Sequence, residues 1–372
     1  MKISFGKKKS VFIRRFGNME KLSYLLTGQH VFSKLLNIGL SKLMSNFKWA
    51  GFLPYYPTQI SIEPTIACNY RCLSCPHGMP LEDRKQVFHR DKFMSLEKYK
   101  KVIDSICGKT WYLSLTGIGE SFLHPEIFEM IEYAANKGMF VTIETNASVM
   151  DPVRVAGLPI QSVHLALDCM SQESYGEYRI GGQIDVVRDN IIALCEEIEK
   201  SNSGMKLLIR YLINKYTEDE FEEAKSLVSK YDFVTLYKGN FIIPPPDFET
   251  FKVKPQATSV ENYEKWKPVK DSNYDNYQLD PTTGLMRDRS YFNEFTGGCP
   301  GVYSGAYINS DGEMFPCCVA APFTPKELSY GNVFEDDFGA VWNGKKARTF
   351  RRKYKAAAGN YGYCSECSSS KI

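Results

Sequence analysis

The chain has 372 residues, of which 43% are hydrophobic and 24% charged, with a formal net charge of +3. That balance excludes a disordered chain, a collagen-like repeat and a small disulfide-stapled scaffold, and the length allows two or three domains with cores of their own. No apolar run approaches the roughly 20 residues that span a bilayer, and the lysine-rich start lacks the apolar stretch of a signal peptide, so a cytoplasmic setting is expected.

Residues 1–50 hold ten Lys or Arg and one acid, Glu20, so a basic arm is joined to a mildly acidic body. Within this basic extension, taken as 1–55, Phe32, Leu36, Leu40, Leu43 and Phe47 recur at helical spacing, with Lys34, Lys42 and Lys48 between them. The expectation is a helix that packs its apolar stripe on the main domain and leaves its lysines in water. The sharper alternative lays it on an anionic membrane surface or on a partner. Lys7-Lys8-Lys9 and Arg14-Arg15 are not interleaved with stacking aromatics, so nucleic acid is not the expected partner.

From residue 56 the pattern alternates. Apolar, β-branched runs predict strands at 58–65, 111–116, 139–144, 161–168, 205–212 and 233–239, with helical periodicity clearest at 95–106, 126–137, 183–200 and 217–230. Alternating strands and helices mean βαβ units and a parallel sheet. Six units are too few for a closed eight-stranded barrel, so residues 56–240 read as an α/β domain of the partial (β/α)6 barrel type, and no spacing suggests a second sheet. Residues 241–298 open with Pro244-Pro245-Pro246 and are crowded with Tyr, Asp and Asn. They read as a linker with little regular structure that covers the barrel mouth. Residues 299–372 form a separate cysteine-rich unit.

Cysteine is the informative residue, at eleven per chain. Cys107, Cys169 and Cys195 stand singly in apolar surroundings and read as small buried hydrophobes. The others cluster, which in a reducing compartment points to metal or redox chemistry. Cys68-Asn69-Tyr70-Arg71-Cys72-Leu73-Ser74-Cys75 follows the first strand directly. Three thiolates in eight residues can wrap a metal centre: zinc with His77 as fourth ligand, or three irons of a cubane cluster whose fourth iron stays open to a chelating ligand.

The three-then-two spacing resembles the signature of the radical S-adenosylmethionine superfamily. The resemblance implies a 4Fe–4S cluster on Cys68, Cys72 and Cys75 that binds S-adenosylmethionine, takes an electron from a flavodoxin- or ferredoxin-type donor and releases a 5′-deoxyadenosyl radical. Ser74 stands where an aromatic residue is common. Thr116-Gly117-Ile118-Gly119-Glu120, followed by His124-Pro125, is similar to the family's Gly-Gly-Glu element. It would bring Gly117, Gly119 and Glu120 to the methionine amino group. Thr145-Asn146-Ala147 is similar to a family Thr-Asn-Gly, placing Asn146 at the cofactor. Asp168 falls where a polar residue meets the ribose, and Arg210 where a basic group reaches the methionine carboxylate. All lie at carboxyl ends of strands, where βα barrels carry their working residues.

In the last unit, Cys299, Cys317, Cys318, Cys364 and Cys367 accompany a hairpin-like Asn309-Ser310-Asp311-Gly312 turn between 305–308 and 313–315. With Gly331-Asn332-Val333-Phe334 and Val341-Trp342-Asn343-Gly344, this resembles a SPASM domain in its shortened, twitch form. The resemblance implies one auxiliary 4Fe–4S cluster on Cys299, Cys317, Cys364 and Cys367, with Cys318 able to replace Cys317. Four cysteines also suit zinc by count.

The expected activity is hydrogen abstraction from a substrate carbon, with the auxiliary cluster taking the second electron of a two-electron oxidation. The substrate is a small molecule or a peptide. A sugar or cyclitol alcohol stands first, because the 1–50 segment does not resemble the leader-binding domain that precedes many peptide maturases; a SPASM-type peptide or protein maturase is the alternative. From another class, a non-enzymatic metal-binding module with a basic arm for membrane or nucleic acid would make no 5′-deoxyadenosine. No catalytic proton acceptor is singled out among Asp247, Lys238 and several tyrosines.

Overall fold

The computed structural model describes residues 24–26, 28–47, 51–88, 92–247, 249, 257–293, 299–317, 328–358, 360–361 and 364. Six parallel strands follow the predicted alternation: β1 (Gln59–Ile62), β2 (Tyr112–Leu115), β3 (Phe140–Thr145), β4 (Ser162–Ala166), β5 (Lys206–Ile213) and β6 (Val234–Asn240), each pairing with the next in register. Their side chains are buried on both faces over β2 and most of β3 and β4, as expected of a parallel sheet covered by helices. The intervening helices include Leu96–Ile106, Ile127–Asn136, Ile184–Ser201 and Phe221–Val228. The last starts later than its periodicity suggests because Thr217 closes a turn first, its hydroxyl donating to the Leu212 carbonyl at 2.6 Å and accepting from the Asn214 amide at 3.0 Å. Cys107, Cys169 and Cys195 are buried in the core.

The sheet does not stop at six strands. β10 (Gly305–Ile308) runs parallel to β1 on its other edge, and the antiparallel hairpin to β11 (Glu313–Phe315) turns at Gly312, whose φ of 89° is the left-handed conformation glycine tolerates. With β12 (Gly331–Asn332), the order is β12-β11-β10-β1-β2-β3-β4-β5-β6. The barrel stays open, and the cysteine-rich segment shares its sheet.

Two expectations are corrected. Residues 257–288, expected as part of a linker with little regular structure and no second sheet, form one: β7 (Ala257–Thr258), β8 (Tyr277–Leu279) and β9 (Met286–Asp288) make an antiparallel sheet, with a helix at Val260–Trp266. Strands of two and three residues are too short to show alternation in sequence. Trp266, Tyr277 and Met286 make a small core with Leu212, Phe241 and Ile243, and Leu73 and Tyr178 pack against it.

The helix Val31–Asn46 forms as its periodicity predicts, but it faces the other way. Lys34 is 2% exposed, and its Nζ donates to the Gly138 carbonyl at 2.6 Å. Asn37 brackets Tyr56, donating to its carbonyl at 2.9 Å and accepting from its amide at 2.8 Å, and Ser41 is buried. Phe32 is 80% and Phe47 71% exposed, with Leu36 and Leu43 exposed between them; only Leu40 of the stripe reaches the core. Backbone carbonyls and amides at the base of the sheet needed partners, and polar side chains supplied them.

Candidate functional site

The cysteine loop grows out of β1 and is held by backbone contacts on every side. The Glu120 amide donates to the Ala67 carbonyl at 2.8 Å, and a side chain on Gly119 would stand 2.2 Å from the Thr65 carbonyl oxygen and 2.7 Å from that of Ala67. Position 119 is therefore glycine because the second loop lies directly on the first. Gly117 lies against the Glu63 side chain. Within the cysteine loop, the Cys75 amide donates to the Cys72 carbonyl at 3.0 Å, and Arg71 donates to the carbonyls of Cys68 and Tyr70 at 3.0 and 2.8 Å.

Three thiols result in one place. Burial pushes the Cys68 thiol up to about 11 and the Cys75 thiol up to about 12. Repulsion from the neighbouring cysteines is a smaller part of both shifts, as expected of thiols within electrostatic reach of one another. Among the described residues no three metal-binding side chains close on a single ion; thiolates that each take a different iron of a cluster stand farther apart. His77 is buried with its ring stacked on Phe88 at 4.4 Å.

The next strand ends complete the rim. The Glu120 carboxylate is buried and accepts from the Thr145 hydroxyl at 2.7 Å, the Asn146 amide at 2.7 Å and the Phe122 amide at 3.2 Å. Burial raises its pKa, and these donors oppose that. Asn146 donates to Asn69 of the cysteine loop at 3.0 Å. Ala147, where glycine would be at ease, has φ 64°. Asp168 is also left-handed, at φ 65°, and its carboxylate is held by the Arg179 guanidinium, with Arg210 Nε 3.7 Å from its other oxygen. His124 is structural: its ring spans the Met94 carbonyl at 2.8 Å and the Glu126 amide at 3.1 Å.

Residues the sequence did not single out finish the site. Arg179 donates to Cys72 Sγ at 3.1 Å. Burial works against its charge, but Asp168 and then Cys72 keep it firmly protonated. No spacing marks this arginine, which comes from the end of the Gln172–Tyr178 helix. Ser74 meets the Tyr178 hydroxyl at 2.6 Å, so an aromatic ring from another element stands beside that position. Glu63 is wholly buried and accepts from the Ile118 amide at 3.1 Å and the Tyr307 hydroxyl at 2.7 Å, tying the glycine loop to β10. An acid ending the apolar Ile60-Ser61-Ile62 run was the available signal.

At the second cysteine group, Cys299, Cys317 and Cys364 are half-buried, while Cys318 and Cys367 lie outside the described residues. The three converge on tyrosines: Cys317 and Cys364 both act on Tyr330, and Cys299 and Cys364 on Tyr354, adding to burial in raising those hydroxyls. Arg351 is completely buried among them, its guanidinium 4.2 Å over the Trp342 ring and donating to the Trp342 carbonyl at 2.7 Å. Its Nε and Nη1, and the hydroxyls of Tyr303 and Tyr330, have no hydrogen-bond partner among the described residues. Buried donors without acceptors, gathered around three thiols, fit a polyanionic cluster whose sulfur atoms would accept from them.

A partial barrel with a thiol triad on its rim and a cysteine-rich extension of the same sheet defines a class of iron–sulfur enzymes. Residues 62–228 match the Radical SAM superfamily, and residues 299–368 match SPASM, an iron–sulfur cluster-binding domain. The chain belongs to the radical S-adenosylmethionine superfamily and carries a C-terminal SPASM domain. It is an enzyme whose cofactors are S-adenosylmethionine with the cluster of the barrel domain, and an auxiliary iron–sulfur cluster. Among its relatives, the antilisterial bacteriocin subtilosin biosynthesis protein AlbA of Bacillus subtilis is 22% identical over 335 residues, 84% of this chain and 67% of that protein. The AdoMet-dependent heme synthase of Methanosarcina barkeri is 21% identical over 347 residues, 85% and 90% of the two chains. The mycofactocin maturase MftC of Mycobacterium tuberculosis is 23% identical over 331 residues, 84% and 77%. In fold, Streptococcus suis SuiB bound to its precursor peptide SuiA superposes with a TM-score of 0.56 at 15% identity, covering 100% of this chain and 79% of SuiB.

Proposed function

We propose that this enzyme is a peptide maturase, oxidising a side chain or backbone carbon of a peptide substrate. The observation that carries the reading is that AlbA and MftC, named for bacteriocin biosynthesis and for maturation, each align over 84% of this chain, far more than the barrel segment alone. It replaces the sugar alcohol as first choice.

Cys68, Cys72 and Cys75 would hold the first cluster, which with S-adenosylmethionine supplies a 5′-deoxyadenosyl radical able to abstract hydrogen from carbon. Arg179 donates to the Cys72 sulfur and stabilises negative charge there. The Glu120 carboxylate, anchored on Thr145 and Asn146, orients the glycine loop at the methionine end, with Gly117 and Gly119 lining it. Asn146, Asp168 and Arg210 extend the same rim toward the nucleoside and carboxylate ends. Leu73 and Tyr178, packed under the 257–288 sheet, keep water from the reacting face. Cys299, Cys317 and Cys364, with Cys367, would hold the auxiliary cluster as acceptor of the second electron, and a flavodoxin or ferredoxin would feed the first.

The test is anaerobic incubation of the reconstituted enzyme with S-adenosylmethionine, dithionite and short peptides encoded beside its gene. Loss of two hydrogens from a peptide, matched by 5′-deoxyadenosine, is expected. Turnover of sugar alcohols or of a porphyrin precursor, with all such peptides inert, would overturn the reading. Cys364→Ala should then leave 5′-deoxyadenosine formation but little oxidised peptide; an unchanged product yield would deny the auxiliary cluster its acceptor role.

A further inference from the structure

The helix Val31–Asn46 is attached by its polar side and turns its apolar side outward. At about 100° per residue, Phe32, Leu36, Leu43 and Phe47 fall within about 60° of one another, a ridge about 22 Å long. All four are exposed, and Leu35 and Lys42 flank them in solvent. The attachment is extensive: besides Lys34 and Asn37, Ser33 donates to the Gly108 carbonyl, Gln29 to that of Asn136 at 2.9 Å, and Tyr24 to that of Met139 at 2.7 Å. A loosely held helix would roll to bury such a ridge; this one is pinned by its polar bonds.

The anchoring residues lie at or before the amino ends of β1, β2 and β3, the end of the barrel opposite the cysteine rim. Lys109, exposed on the same end, lies over the Tyr56 ring. Immediately ahead of the helix, residues 1–23 contain Lys2, Lys7, Lys8, Lys9, Arg14, Arg15 and Lys21 against one acid, Glu20. An exposed apolar ridge on a helix that follows a strongly basic stretch of sequence combines the two forces that hold proteins on anionic bilayers, insertion of apolar side chains and attraction to acidic headgroups. The mildly acidic body of a second copy offers the arm only a dilute negative charge, whereas an anionic bilayer offers a dense one.

We propose that this ridge docks the enzyme peripherally on an anionic lipid surface, with the catalytic rim facing away from the membrane. The test is flotation of the iron-loaded, full-length enzyme with phosphatidylcholine vesicles, with and without phosphatidylglycerol. The parent should bind the anionic vesicles and be released by salt. The combined variant Phe32→Ser, Leu36→Ser, Leu43→Ser and Phe47→Ser should partition at least about tenfold more weakly, with parental melting temperature and iron content. Lys7→Glu, Lys8→Glu, Lys9→Glu, which leaves the helix sequence untouched, should lose the preference for anionic vesicles. Equal flotation of parent and ridge variant would overturn the proposal, as would a parent that ignores phosphatidylglycerol. So would a dimeric parent whose ridge variant is monomeric, which would make the occupant a second copy. A ridge variant that melts far below the parent while binding vesicles equally would mean that protein already covers the face, and would also overturn it.

Discussion

The two cysteine groups are built on opposite plans. The first is local: three cysteines within eight residues, on a loop whose Thr65 and Ala67 carbonyls lie directly against Gly119, with one arginine reaching the sulfur of Cys72. The second gathers Cys299, Cys317 and Cys364 from distant points around buried rings and the partly satisfied guanidinium of Arg351. The first depends on backbone fit and tolerates almost no added volume. The second depends on charge, and part of its polar lining has no partner among the described residues.

The sharpest way to break this contrast is Gly119→Val. Because the intruding carbon would strike two carbonyl oxygens of the cysteine loop, the variant should lose about four irons per chain, of the eight expected from two cubane clusters. S-adenosylmethionine cleavage should vanish with them while the auxiliary iron stays. Iron and sulfide assays check it, and a variant with full iron would show that the loops do not need their close approach.

Next in size is Arg179→Met, which leaves the buried Asp168 carboxylate without its main partner. Removing one member of a buried pair costs about 3–5 kcal/mol, and Arg210, 3.7 Å away, should keep the loss at the low end. Urea unfolding measures it. Loss of the donor to Cys72 should also lower the first cluster's reduction potential, read by an EPR-monitored titration, because a nearby positive charge favours the reduced, more negative cluster.

Arg351→Met should act in opposite directions on the two forms of the protein. Without iron, removing a buried charge with unpartnered donors should stabilise by about 1–3 kcal/mol. With iron, it should lower the auxiliary cluster's potential and cancel that gain. Melting curves with and without iron give the comparison; destabilisation of both forms would mean that Arg351 is held by packing alone.

Ala147→Gly is the smallest. Relief of a left-handed alanine is worth about 1–2 kcal/mol, offset by lost burial of one methyl, about 0.8 kcal/mol, and by the flexibility glycine adds to the unfolded chain. Stability should shift by less than about 1 kcal/mol, and a loss above about 2 kcal/mol would show that the Ala147 methyl, in the core, matters more than its backbone.

Much of the barrel was legible because its signals are local. The β-branched runs marked all six strands, the Asn309–Gly312 turn marked the β10–β11 hairpin, and the cysteine spacing marked the first site. Arg351 was hidden among seven Lys and Arg in the Lys345–Ala356 helix, and nothing in the Tyr-Arg-Ile-Gly-Gly stretch distinguishes Arg179. Whether a charge is buried depends on what packs above it. The Val31–Asn46 helix shows the limit most clearly: its periodicity announced an amphipathic helix but not which side faces the protein.

The sequence by itself determined the alternation of strands and helices, the eight-residue thiol loop, and the glycine and acid that follow one strand later, because each rests on residues close along the chain. Only the tertiary structure decided that the cysteine-rich segment extends the barrel's own sheet through β10, that Glu63 ties that strand to the glycine loop, and that Arg179 and Arg351 stand beside the two cysteine groups. Those contacts join residues as many as 244 positions apart, as between Glu63 and Tyr307, and their free energy comes from burial and charge pairing that exist only once the sheet is assembled.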